Sequence, residues 1–573
     1  MKTLLKYFNG LKTECFLGPL FKLLEACFEL FVPLVIAGII DTGIALGNKR
    51  YVTEHVMVLG VLAIVGLTCS LTAQYFSAKA ATRFATRVRS ALFKHIQTLS
   101  YTEIDTLGSG SIITRMTSDV NQVQSGVNMT LRLFLRSPFI VFGAMIMAFT
   151  VNARISLIFL IIIILLSIVV YGIMIITIPK QRQVQKQLDN VLVRTRDNLS
   201  GVRVIRAFRK EKSEIEKFNE ENGLLTKLQL GAGRISALTN PVTYIIVNIG
   251  IVCLIYKGAI NVKSGILTQG QVVALVNYMS QILVELIKLA NFILLDIKAL
   301  ASASRIEEIL KTKGSMEYGS GLLEDENAVS VSFENVSLKY KGAGDYTLRD
   351  ITFDVKPGQT VGVIGGTGAG KTTLINLITR FYDATEGTVK LNGKEIKSYT
   401  EKTLRRHISI VPQKAVLFSG SVRDNMRWGN ENATDDEIGE ALKIADAYDF
   451  VMAKEGGLDY RLTPGGKNLS GGQRQRLTMA RALTGRPGIL IMDDSFSALD
   501  ALTDAKVRGN LSDMKLKPTV FIVSQRTASI MKADLIIVLE NGRLAGLGTH
   551  DELLKSCEVY KEIYNSQFGD SDE

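Results

Sequence analysis

The chain has 573 residues, 47% of them hydrophobic, and a formal net charge of +12. That length is too great for one core, so at least two domains are expected. The positive surplus does not imply a nucleic-acid partner, because Lys and Arg concentrate in the stretches between long apolar runs, the pattern of cytoplasmic connections in a membrane protein. The five cysteines, Cys15, Cys27, Cys69, Cys253 and Cys557, are scattered without a CxxC pair, which argues against a disulfide framework or a zinc site.

Taken from the N-terminus, Met1 to Phe8 lacks a signal-peptide cleavage pattern and reads as a short amphipathic helix on the inner membrane surface. Six spanning segments follow near 17–40, 56–78, 133–151, 155–178, 239–256 and 271–296. The clearest, Ile155 to Pro179, contains no charged residue, and at about 1.5 Å rise per residue it is long enough to cross a hydrocarbon core of about 30 Å. Two long inner connections, roughly 79–132 and 180–238, read as helices with charged faces. Each breaks near its middle, at Leu107–Asp119 and at Ser200–Phe208, as expected of a turn that docks onto another domain; the plainer alternative is a solvated loop.

Polar residues within the spans carry a second signal. Asn277, Gln281, Glu285 and Lys288 are spaced to share one helical face, as are Asn240, Tyr244 and Asn248. Such a stripe faces a translocation pathway, or it serves hydrogen bonding between helices and a local Glu285–Lys288 pair. Lys22, Glu25 and Glu29 also share a face and are placed near the inner headgroups rather than in a cargo site.

The transmembrane domain is therefore expected over 1–310, a linker over 311–327 and a soluble α/β domain over 328–573. In the last part short β-type runs alternate with helical ones, at 329–338, 360–364, 408–411, 489–492, 520–523 and 535–539. Thr360–Ile364 reads as a buried strand, followed at once by Gly365, Gly366, Thr367, Gly368, Ala369, Gly370, Lys371 and Thr372, with Thr373 continuing a helix. That strand–loop–helix order is what a Walker A loop requires: glycines let backbone N–H groups turn onto phosphate oxygens, Lys371 reaches the β- and γ-phosphates, and the Thr372 hydroxyl holds Mg²⁺. Asp493 closes the apolar strand 489–492 and takes the Walker B position on Mg²⁺. Gln413, just past another strand, is placed to hold Mg²⁺ or contact the attacking water. Tyr340 is either the ring that stacks on adenine or an ordinary core or edge residue.

The pentapeptide Leu469-Ser470-Gly471-Gly472-Gln473 completes the set. With the order Walker A, Gln413, pentapeptide, Walker B, and with six preceding spans, the whole chain resembles a half-transporter of the ATP-binding cassette (ABC) exporter family. The resemblance implies a fold of an all-α six-helix membrane domain fused to a cytoplasmic P-loop cassette. It also implies a head-to-tail dimer holding two ATP molecules with Mg²⁺, each between Walker A of one chain and Ser470, Gly471, Gly472 and Gln473 of the other. Asp500 matches the D-loop linking the two sites.

Two positions depart from the family pattern. Asp494 stands where the catalytic base is usually Glu, and Gln525 stands where a switch histidine is usual. Aspartate is one methylene shorter, a deficit of about 1.5 Å, whereas a base must come within about 2.6–3.2 Å of its proton donor. Gln525 donates a hydrogen bond but carries no positive charge. The stretch Tyr460–Asn468 also lacks the acidic residue many exporters have there. The chain thus resembles the degenerate-site subunit of heterodimeric bacterial multidrug exporters. The expectation is ATP-driven export of amphipathic or hydrophobic compounds across the cytoplasmic membrane, with a partner chain supplying Glu and His. Alternatives are a lipid or peptide exporter, or an ATP-gated channel or sensor; a soluble nucleic-acid ATPase fails on the spans.

Overall fold

The computed structural model describes residues 2–323, 328–514 and 517–569. The last four residues of the expected linker, Glu324 to Asn327, and the chain end from Asp570 therefore lie outside the described residues. The chain divides into two units. One comprises Met1–Gln97 with Gly110–Lys311, the other Thr98–Ser109 with Thr312–Glu573.

The first unit is helical. Its long elements are α1 (Lys12–Gly38, extended by a π-helical turn to Ile44) and α2 (Lys49–Ile96). In the second unit α3 (Tyr101–Leu107) follows. The helical unit resumes with α4 (Val120–Leu133), α5 (Arg136–Val151), α6 (Ala153–Ser200), α7 (Val202–Ala207), α8 (Glu211–Ala237), α9 (Thr239–Lys263) and α10 (Gln269–Lys311). Among the described residues five helical stretches are long and apolar enough to cross a membrane: Lys12–Ile44, Lys49–Ile96, Ser109–Val151, Ala153–Ser200 and Glu211–Lys263. The sixth expected segment, 271–296, lies inside α10. Asn152 starts α6: its side chain accepts hydrogen bonds from the backbone of Arg154 and Ile155, satisfying donors a helix start leaves open. α1 packs on α2, α6 on α8, and α10 on α4, α5 and α1. A core of Phe159, Leu254, Tyr278, Met279 and Ile282 sits between them, with the Tyr278 hydroxyl donating to the Leu30 carbonyl at 2.7 Å. At the N-terminus Leu4 and Leu11 are buried and Phe8 stacks on Phe84.

The second unit carries twelve strands among the described residues. Its central sheet is built from β3 (Thr360–Gly365), β6 (Ile408–Val411), β9 (Ile489–Asp493), β10 (Thr519–Val523), β11 (Leu535–Glu540) and β12 (Arg543–Gly548), in the order β12-β11-β3-β10-β9-β6. A smaller antiparallel sheet runs β2-β1-β4-β5, where β1 is Val331–Leu338, β2 Leu348–Val355, β4 Glu386–Leu391 and β5 Lys394–Glu395. The short pair β7 (Gly420–Ser421) and β8 (Arg461–Leu462) completes the set. The uninterrupted apolar run of β9 has a simple cause. Leu490 and Met492 enter one core, Ile489 and Ile491 the other, so successive side chains face opposite, equally covered sides. β10 repeats this with Val520 and Ile522 against Phe521 and Val523. Parallel pairing of β3, β10 and β9 brings their C-terminal ends together, with Val523 opposite both Val363 and Asp493.

Candidate active site

The site forms where those strand ends meet, the usual place for ligands on an open parallel sheet. β3 ends at Gly365, where a Cβ would lie 2.1 Å from the Leu539 carbonyl oxygen, so the neighbouring strand leaves no room for a side chain. The loop closes at Gly370, whose φ of +99° favours glycine. Helix α11 (Lys371–Ile378) then begins, its free N–H groups at the loop. Lys371 donates from Nζ to the carbonyls of Gly365 at 2.7 Å and Gly366 at 2.8 Å, curling over the loop. Burial holds its ammonium below the ordinary lysine value, against the opposing pull of Asp494 and Asp493.

A cleft of about 300 Å³ opens here. It is lined by Thr367, Gly368, Ala369, Gly370, Lys371, Thr372 and Thr373 on one side, and by Gln413, Asp493, Asp494 and Gln525 on the other. The Thr372 hydroxyl donates to Asp493 at 3.4 Å. Burial pushes the Asp493 carboxyl above its ordinary value; the Thr372 bond and Lys371 oppose that shift and the Asp494 charge adds to it. A hydroxyl and a carboxylate at this separation, beside a positively lined phosphate cradle, fit a hard divalent cation such as Mg²⁺. Asp494 has a φ of +46°, an uncommon conformation for a residue with a side chain. Its backbone N–H donates to the Val523 carbonyl at 3.0 Å, and its carboxylate accepts from Gln413 Nε2 at 3.2 Å. The expected base and the expected water-contacting residue therefore hold each other. Gln525 is exposed on the rim, and its carbonyl accepts from Gln567 Nε2 at 2.7 Å.

Tyr340 ends beside the loop rather than in the cleft lining. Its hydroxyl donates to Thr373 Oγ1 at 3.2 Å, and its ring meets that of Tyr382 edge-on at 5.0 Å. The pentapeptide does not join this cleft. Ser470 caps helix α12 (Gly471–Thr484), its Oγ accepting from the Gln473 N–H at 3.3 Å while Gln473 Oε1 accepts from the Ser470 N–H at 3.1 Å. Ser470 and Gly471 are exposed, and Gly472 and Gln473 are half-buried. Asp500 caps helix α13 (Ala501–Ser512) by accepting from the Thr503 N–H and hydroxyl, both at 2.9 Å, which hold its carboxyl below the ordinary value. In the stretch without its acidic residue, Asn468 takes up the polar groups instead: its Nδ2 donates to the Arg461 carbonyl at 3.0 Å and its Oδ1 accepts from the Thr463 N–H at 3.2 Å.

Sequence reasoning missed three residues that line the cleft, Thr347, Val523 and Ser524. They carry no motif; the pairing of β10 with β3 places Val523 and Ser524 there, and Thr347, just before β2, lies against Gly370 of the loop. In the helical unit it missed Arg136 and Ser137. Glu285 is 3% exposed and accepts from Arg136 at 2.6 Å, Ser137 at 2.9 Å and Lys288 at 2.8 Å. Arg136 also donates to Glu29 at 2.7 Å, while Lys22 donates to Glu25 at 2.5 Å. The local Glu285–Lys288 pair is thus present within a wider network, and Lys22, Glu25 and Glu29 belong to a charge cluster with α5 and α10. In α7 and the turn after it, Val204 is 60% and Phe208 71% exposed.

Residues 15–286 match the family described as the ABC transporter transmembrane region, and residues 348–497 match the family described as ABC transporter. The chain is 36% identical over 547 residues to an uncharacterized ABC transporter ATP-binding protein, YfiB, of Bacillus subtilis (strain 168), covering 96% of this chain and 95% of that protein. It is 30% identical to the putative multidrug export ATP-binding/permease protein YgaD of the same organism, over 99% of both chains. Its fold is similar to the structure of a bacterial Atm1-family ABC exporter with ATP bound, with a TM-score of 0.83, 23% identity, and 98% of this chain and 99% of that chain covered.

Proposed function

Because this chain belongs to the ABC transporters as an exporter half-transporter, an ATPase coupled to membrane transport with its cassette in the cytoplasm, we propose that it is the subunit of a heterodimer whose own Walker site binds ATP and cleaves it weakly. The exported compounds are amphipathic or hydrophobic, a reading supported by the 30% identity to a putative multidrug export protein.

One observation carries the proposal: the carboxylate after Asp493 is aspartate, and it is tied to Gln413. A shorter side chain that also serves as a hydrogen-bond acceptor for its neighbour is poorly placed to take a proton from water, and a misplacement near 1 Å costs on the order of 100-fold in rate. Gln525 adds no charge to stabilise a leaving phosphate. ATP is the substrate here, and Mg²⁺ supplies charge neutralisation of its phosphates. Thr372 and Asp493 would hold the ion, with Gln413 beside them. Gly365 to Thr373 would hold the phosphates, and Tyr340 would take the adenine.

Ser470 and Gly471, exposed at the start of α12, are placed to complete the site of the partner chain, which would supply Glu and His. The exposed Val204 and Phe208 suit docking onto a cassette.

The test is the double variant Asp494→Glu with Gln525→His in the purified full chain. ATPase activity should rise by at least tenfold over the wild type. Brisk ATP turnover and cargo transport by the unmodified chain alone would overturn the division of labour.

A further inference from the structure

We infer that Gln567, near the chain's C-terminal end, is a positioning residue that sets the Gln525 side chain against the terminal phosphate of a bound nucleotide. This rests on the proposed nucleotide site, and on neither the division of labour between two sites nor the cargo.

Gln525 lines the cleft. It lies just past Val523, which pairs with Asp493 at the end of β9, so it belongs to the carboxylate side of the cleft. Among the described residues its own side-chain amide has no hydrogen-bond partner, and it is exposed. What is fixed is the backbone beneath it, and one amide group does this. Gln567 Nε2 donates to the Gln525 carbonyl at 2.7 Å. Gln567 Oε1 accepts from the Thr527 N–H at 2.8 Å and from the Thr527 hydroxyl at 2.9 Å. Thr527 is fully buried. The donor and the acceptor of one planar amide thus straddle the loop, so neither end of it shifts without breaking a bond.

The amide is itself held. Gln567 lies on helix α14 (Glu558–Phe568), seven residues beyond Tyr560, which at about 3.6 residues per turn puts both on one face. Tyr560 is fully buried in the core with Ile536 and Val538 of β11, its hydroxyl 2.8 Å from His550 Nδ1. A second hold reaches the loop from the other flank, where Arg508 of α13 donates to the Ala528 carbonyl at 2.9 Å. That contact lies past Thr527. Among the described residues the Gln525 carbonyl is left to Gln567 alone. If α13 sufficed to place the loop, removing the Gln567 amide would change nothing, and the experiment separates the two.

Gln525 can donate a hydrogen bond from its side chain to a phosphate oxygen, and such a bond weakens steeply once its geometry is lost. ADP lacks the terminal phosphate, so loosening the loop should weaken a triphosphate and spare ADP.

A fluorescent ATP analogue bound to the full chain in lipid nanodiscs with Mg²⁺ is displaced by the β,γ-imido analogue of ATP and, separately, by ADP. Gln567→Met keeps the length of the side chain and loses both polar ends. It should weaken the imido analogue about fivefold or more and leave ADP within about twofold. Gln567→Glu keeps an acceptor for Thr527 and loses the donor to Gln525, and it should weaken the imido analogue as much. Gln525→Ala should show the same selective loss, and adding Gln567→Met to it should cost no more. An unchanged affinity in both Gln567 variants, equal weakening of ADP, or additive losses in the double variant would overturn the inference. Failure of either nucleotide to displace the probe from the wild type would overturn the nucleotide site itself, and this inference with it.

Discussion

Asp493 and Asp494 are adjacent, yet they carry different burdens. Asp493 is buried, and burial favours its neutral form. An acid whose folded-state value is raised contributes stability only below the ordinary carboxylate range and loses it as pH rises through the raised value. At neutral pH the ionised Asp493 therefore weakens the nucleotide-free cassette. Asp493→Asn should raise the unfolding midpoint of the nucleotide-free protein at pH 7 by a few degrees, and the gain should fade as pH drops below the usual aspartate range. The same variant should abolish the Mg²⁺ dependence of ATP binding. Lys371 is depressed for the same reason, loss of water around a charge. Lys371→Ala should weaken binding of a fluorescent ATP analogue at least tenfold, because the phosphates lose a charge-assisted donor worth about 1.5–3 kcal/mol. A residue-level reading of the sequence reaches this far because each motif is local: glycine spacing, one lysine and one hydroxyl within eight residues. The tie between Gln413 and Asp494 spans 81 positions, and no local pattern encodes it.

At the scale of elements, the pentapeptide has two tasks. Its serine and glutamine form a capping box that starts α12, satisfying two backbone donors reciprocally. Ser470→Ala should cost about 1 kcal/mol of cassette stability in a urea titration, in addition to any loss at a partner's site. Ser470→Thr should retain most of the stability, since threonine caps nearly as well, and this separates the structural task from phosphate contact. The strands show the same double constraint. β9 is apolar at every position up to Asp493 because both of its faces are covered, and that burial places the carboxylate at the strand end. The periodicity that announces a strand cannot say which neighbours it takes. The pairing of β3 with β10, which brings Ser524 and Gln525 over the phosphate loop, joins segments more than a hundred residues apart.

At the scale of the molecule, the helical unit stakes its fold on a charge network drawn from α1, α5 and α10. Breaking a buried ion pair by removing one partner leaves the other uncompensated, at a typical cost of about 3–5 kcal/mol. Glu285→Ala should therefore lower the unfolding midpoint in nanodiscs markedly, since Arg136, Ser137 and Lys288 all lose an acceptor. Replacing Arg136 with methionine as well should not recover the loss, because Glu29 then loses its Arg136 contact while Lys288 still lacks Glu285. Among the described residues the Arg136 Nε already lacks a partner, so the network has little slack.

Read alone, the sequence determined that this protein has long apolar helices, a phosphate-binding loop and an incomplete catalytic pair. These features are written in runs and spacings of a few residues, and local sterics, hydrogen bonding and hydrophobicity act over that range. Only the tertiary structure decided that Glu285 is held by Arg136, that Asp494 is shared with Gln413, and that α3 belongs with the cassette. Such pairings depend on the rotation of each helix and the order of each sheet, which many distant contacts set together.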